Sequence, residues 1–140
     1  MTANASNANA TPNANNRRSI LSAYIDAKER EPFAWGTNDC LMVVAGAVQA
    51  VTGVDHAADF RGRYSSFAAG KRLVGKSLLL FVAERFPMTH PSMAHDGDIA
   101  AIRQGRDWAF GIFIGPHIYA QAENGMGILP RSAAKMAFKV

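Results

Sequence analysis

Cysteine is almost absent from this chain: Cys40 is the only one in 140 residues. One thiol closes no internal disulfide and builds neither a zinc ribbon nor a Cys-rich scaffold, so a reducing compartment fits best. Long apolar runs are missing as well. Stretches such as LLLFVA fall far short of the roughly 20 residues needed to cross a bilayer, and no membrane span is expected. The first sixteen residues, MTANASNANATPNANN, carry no charged side chain and little apolar surface beyond alanine. They cannot offset the entropy of ordering, which predicts a disordered tail over 1–16. The tail also lacks the basic start and unbroken apolar stretch of a secretory signal, so no signal peptide is expected and its two Asn-x-Ser/Thr sequons are read as unglycosylated. Basic residues outnumber acidic ones, 15 to 11, but are scattered along the chain, which argues against specific nucleic-acid recognition.

What is present suits one domain over 17–140, since 49% hydrophobic content supplies one real core but not two at this length. Ile20, Leu21, Tyr24 and Ile25 share one helical face ahead of Pro32. Asp39 is placed to cap a second helix that carries Leu41, Val44, Val48 and Val51 and stops at Gly53. After a loop over 54–65, SFAAGKRLVGKSLLLFVAERF reads as one broken helix or two consecutive ones. Past Pro91 the period shifts toward two. GDIAAI, WAFGIFIG, HIYAQA and GMGILP are separated by turn chemistry, and a last strand is expected near MAFKV. Helices first and strands second predict an α+β domain, with N-terminal helices packed on one face of a C-terminal antiparallel sheet.

Three stretches carry candidate chemistry. GKRLVGKS, residues 70–77, satisfies the phosphate-loop pattern, but no strand-like run precedes Gly70. The expected alternative is a helix break at Gly75, with Lys71, Arg72 and Lys76 on a solvated face. In PFAWGTNDC, Cys40 falls in the first turn of a helix, where the dipole and free N–H groups favour the thiolate, although a lone cysteine on an apolar helix also suits core packing. In DFRGRY, Asp59, Arg61 and Arg63 surround Phe60 and Tyr64. That box is either a loop clamped onto the core by its two rings or a partner-binding patch built on Arg61, Arg63 and Tyr64.

The order FAWGTNDC, DGDIAAI, AFGIFIG, IYAQA resembles the NlpC-type branch of the papain-like cell-wall peptidases over roughly residues 32–122. The resemblance implies a papain-like fold with Trp35, Gly36 and Asp39 leading to a nucleophile at Cys40. Gly97 and Asp98 then open the first core strand, and Gln121 stands where the family has the residue that orients its histidine. Gly111 and Gly115 fall on the two glycines of the histidine strand, but Ala109 falls on the histidine itself. A cysteine peptidase needs that imidazole to form the ion pair and to protonate the leaving amine. Among substitutes, His95 stands close before Gly97 and is the candidate base; His90 and His56 lie in loops, and His117 belongs at the far end of a hairpin.

A second resemblance covers residues 32–140. PFAWGTNDC, TGVDHAADFRGRY, GDIAAI, AFGIFIG and GILPRSAAKMAFKV look like a small, functionally unassigned family encoded among the tail genes of phages and prophages. Members usually have a small or apolar residue where the peptidase histidine would be; Phe138 stands where tryptophan is usual. This resemblance implies a phage tail-associated or tail-assembly protein on an NlpC-like scaffold that lacks the catalytic histidine. Its partners would be other tail proteins, and it would pass from the host cytoplasm into the virion tail. The alternative is an active thiol hydrolase that uses Cys40 on peptide or amide bonds of peptidoglycan peptides. Neither reading calls for a metal or a cofactor.

Overall fold

The computed structural model describes residues 14–140. Among the described residues four helices, α1 (Ala14–Glu29), α2 (Cys40–Thr52), α3 (Phe67–Val74) and α4 (Leu78–Arg85), precede a six-stranded antiparallel sheet. Its strands are β1 (Met88–Thr89), β2 (Ile99–Gln104), β3 (Asp107–Ile114), β4 (His117–Ala122), β5 (Gly125–Pro130) and β6 (Met136–Phe138). The fold is α+β, as the change of hydrophobic period predicted. Helix α1 begins at Ala14, inside the segment that composition assigned to the tail; residues 1–13 of that expected tail lie outside the described residues.

The spatial order is β1-β6-β2-β3-β4-β5. Strands β2 to β5 form the expected meander. Strand β6 does not extend it: the strand returns across the sheet to pair with β2, setting Phe138 opposite Ile99, and its other edge takes up β1, a pairing too short to leave a periodic signal. Strict alternation sorts the side chains. Ile99, Ala101, Phe110, Ile112, Ile114 and Phe138 face the helices and join Leu21, Ile25 and the apolar side of α2 in the main core. Ala100, Phe113, Ile118 and Ala137 form a second cluster on the opposite face, with Ala94 and Ala134 from the adjoining 3-10 segments.

Helix α2 is the centre of the fold, with Leu41, Met42, Val43, Val44, Ala45, Ala47, Val48 and Val51 all buried. Each fully buried Val or Leu contributes about 1.5–3 kcal/mol, against about 1 kcal/mol for an N-cap. Packing therefore holds the helix, and the cap at Asp39 decides where it begins. Helix α1 crosses α2 closely. The Tyr24 hydroxyl donates to the Val43 carbonyl at 2.8 Å and occupies the space that any side chain at position 46 would need, which explains glycine there.

Candidate functional site

The segment before α2 is organised by one buried carboxylate. Asp39 is 2% exposed. Its Oδ1 accepts from the Met42 N–H at 2.9 Å, and its Oδ2 accepts from the Gly36 N–H at 2.8 Å and from the Tyr64 hydroxyl. Gly36 has φ +85°, and a side chain there would run into the Tyr64 carbonyl, so both conformation and space require glycine. A bridge between Ala34 and Asn38 closes the turn, and the Asn38 amide donates to the carbonyls of Glu31 and Pro32. Trp35 packs edge-on to Phe33, with ring centroids 4.8 Å apart, and leans on Phe67.

Cys40 is the first residue of α2 and borders a narrow cavity of about 40 Å³. Its walls come from Trp35 and Asp39, from Phe60 and Tyr64, and from Gly70 and Val74 of α3, with Phe81 of α4 beneath. The helix start was expected to favour the thiolate. Instead, burial pushes the Cys40 thiol up to about 11, and the nearby Asp39 carboxylate adds to the rise. The backbone groups of Phe110, Leu41 and Cys40 itself pull the other way and are outweighed. Desolvation in an apolar wall exceeds what the first turn of one helix supplies.

None of the four histidines lines that cavity. His95 meets Lys139, with Nδ1 3.2 Å from Nζ. His56 packs edge-on to Phe86, His90 caps the 3-10 turn at Pro91–Met93, and His117 opens β4 opposite Ile114 and Pro130. Gln121 is buried on β4; its Nε2 donates to the Ala122 carbonyl at 3.1 Å, and its Oε1 has no partner. Ala109 lies on β3 opposite Ile102, and alternation groups it with Gly111 and Phe113 on the face turned away from α2. The thiol meets the backbone of the next residue, Phe110.

Gly97 and Asp98 form the turn into β2. The Gly97 N–H donates to the Phe113 carbonyl at 2.8 Å, and the buried Asp98 carboxylate accepts from the N–H groups of His95 and Val140. This pair ties the sheet entrance to the end of the chain described, well separated in sequence from the WGTNDC turn. In the DFRGRY box both rings point inward: Phe60 packs on Phe81 with centroids 5.4 Å apart, and Tyr64 reaches Asp39. Arg61 forks onto Asp55, at 2.9 and 3.0 Å, and Arg63 bonds the Asp59 carbonyl at 2.7 Å. Asp55 was not singled out from sequence, although a carboxylate six residues before an arginine within one loop was the available signal.

The phosphate-loop pattern is divided between two helices. Gly70 lies inside α3, where a Cβ would stand 2.9 Å from the Tyr64 ring; Gly75 is the C-cap of α3, and the Ser77 hydroxyl caps α4 by accepting from the Leu80 N–H. Lys71, Arg72 and Lys76 are exposed, and Lys76 pairs with Glu84 at 2.8 Å. Sequence reading missed that α3 supplies a wall of the Cys40 cavity; Ser66, which caps α3, and Gly75 were the signals that delimit it.

Among the described residues no group of three or more His, Cys, Asp or Glu side chains is placed to hold a metal ion, and no helix is long and apolar enough to cross a membrane. No curated protein matches the chain at significant similarity. A family profile does match, over residues 13–140, and covers the helices, the WGTNDC turn and the whole sheet: the chain belongs to the family described as a domain of unknown function, DUF6950.

Proposed function

We propose that this chain is a phage tail-associated or tail-assembly protein on an NlpC-like, papain-like scaffold, and that it works without peptidase catalysis. The observation that carries the non-catalytic reading is the surroundings of Cys40. Burial pushes the thiol up to about 11, and none of the four histidines lines its cavity: His56 packs on Phe86, His90 bonds Ser92, His95 meets Lys139, and His117 is exposed at the start of β4. A nucleophile needs a base within hydrogen-bond reach and a thiolate at working pH, and Cys40 has neither. The tail assignment rests on the sequence resemblance. The arrangement of a helix with cysteine at its start, packed on an antiparallel sheet entered through Gly97-Asp98, suits the scaffold. On this reading Cys40 is a packing residue, the partners are other tail proteins, and the protein acts first in the host cytoplasm and then in the virion.

The test has two arms. Purified protein incubated with cell-wall fragments is expected to release no peptide, and Cys40 is expected to alkylate at neutral pH no faster than a simple thiol. In a phage that carries the gene, deletion is expected to stop production of functional tails, while Cys40→Ala or Cys40→Ser restores them. Peptide release that Cys40→Ala abolishes would establish the thiol hydrolase instead. Normal tails after deletion would remove the assembly role.

A further inference from the structure

A second cleft, of about 540 Å³, opens at the sheet entrance and shares no lining residue with the Cys40 cavity. It is lined by Arg17 and Arg18 of α1, by Arg131, and by Lys139 after β6; His95, Asp96 and Asp98 belong to the turn into β2. Four cationic side chains thus face two carboxylate side chains, with the main-chain oxygen of Val140 beside them. Both carboxylates are already committed. Asp98 accepts the N–H groups of His95 and Val140, and Asp96 accepts Arg18 Nε at 2.7 Å together with the Gly115 N–H. Two of the guanidinium groups hydrogen-bond only main-chain oxygens. Arg17 donates to those of Asp96 and Val140, the last residue, and Arg131, which also stacks on Phe113, to those of Gly115, Pro91 and Ala94. Neither hydrogen-bonds an Asp or Glu side chain, although Arg131 lies close enough to Asp96 to help hold its carboxyl low.

At the mouth, Lys139 has no carboxylate nearer than Asp98 at 4.0 Å and makes its hydrogen bond to His95 instead. An ammonium can only donate, so His95 Nδ1 accepts, and its Nε2 carries the proton as a further donor. Arg18 is 59% exposed and Lys139 46% in their side chains, so both are open to a ligand. We propose that this cleft binds a phosphate group, held by Arg18, Lys139 and His95 in front of Arg17 and Arg131. Donors arriving from three separate segments suit a tetrahedral anion with acceptor oxygens on several sides. A planar carboxylate takes a single guanidinium fork, as Asp96 takes Arg18 beside the Gly115 N–H.

Amide chemical shifts of the full chain, titrated with sodium phosphate and separately with methyl phosphate at matched ionic strength, test this. Saturable shifts at residues 95–98, 115 and 139–140 are expected, with sodium chloride producing none. Lys139→Gln and Arg18→Gln are each expected to weaken binding by about fivefold or more, as loss of one charge-assisted hydrogen bond does. Binding of inorganic phosphate alone assigns the site to the free anion, and binding of both assigns it to phosphate esters as well. Absence of saturation, equal shifts with chloride, or unchanged affinity in both variants overturns the proposal.

Discussion

Replacing Asp39 with alanine removes one carboxylate but three hydrogen bonds, and its cost can be assembled from the structure. Loss of the N-cap bond to Met42 costs about 1 kcal/mol. The Gly36 N–H and the Tyr64 hydroxyl are then left without their acceptor in a buried turn, at about 1–3 kcal/mol each. The sum is about 3–7 kcal/mol, a large share of the 5–15 kcal/mol available to a domain of ordinary stability. Urea unfolding followed by circular dichroism is expected to show the midpoint falling by about 2 M with an unchanged slope. Tyr64→Phe removes only one of the three bonds and is expected to cost about 1.5–3 kcal/mol. Because both changes break the same contact, the double variant should be less destabilised than the two single costs added together, by about 1–2 kcal/mol. An Asp39→Ala cost below about 1 kcal/mol, or strict additivity with Tyr64→Phe, would refute Asp39 as the shared acceptor that joins the WGTNDC turn to the DFRGRY box.

The raised Cys40 thiol makes stability depend on alkaline pH. The unfolded thiol releases its proton near 8.5 and the folded one at about 11, so stability is full below about 8.5 and falls as pH rises toward 11. Cys40→Ala should flatten that slope between pH 8.5 and 9.5, before the raised hydroxyls of Tyr24 and Tyr64 add losses of the same sign above pH 10. At the acid end, the Arg61 guanidinium holds the Asp55 carboxyl below its usual range, so that pair's contribution is present above about 3.9 and lost as pH falls through the lower folded value. Arg61→Gln should reduce the acid slope in a denaturation series. Ala109→His is expected to leave the Cys40 alkylation rate at pH 7.5 unchanged, because position 109 faces away from α2; a marked acceleration would show that the strand register has been misread. Gly70→Ala forces a methyl against the Tyr64 ring and should cost about 1–3 kcal/mol in urea, while magnesium and ATP leave the melting temperature of the parent chain unmoved.

Much of the local structure was legible because it depends on neighbours in the chain. Asp39 and Gly53 delimit α2 as their chemistry predicts, and the alternating runs from Ile99 onward became strands. The return of β6 to β2 was not legible, since a three-residue strand has no period of its own and pairs where an open edge accepts it. Nor was the partner of Arg61: Asp55 and Asp59 both lie within reach in sequence, and only the course of the loop chose Asp55.

WGTNDC alone determined that a thiol would stand at the start of a buried helix, because capping and helical period are local properties. Tertiary structure decided what that thiol can do. Helix α3, the DFRGRY loop and β3 close around Cys40 and desolvate it, and the sheet register carries Ala109 to the opposite face while all four histidines fall outside the cavity. A side chain's solvation and its distance to a base are set by segments far away in sequence, so only the packed fold could make Cys40 a protonated wall of the core.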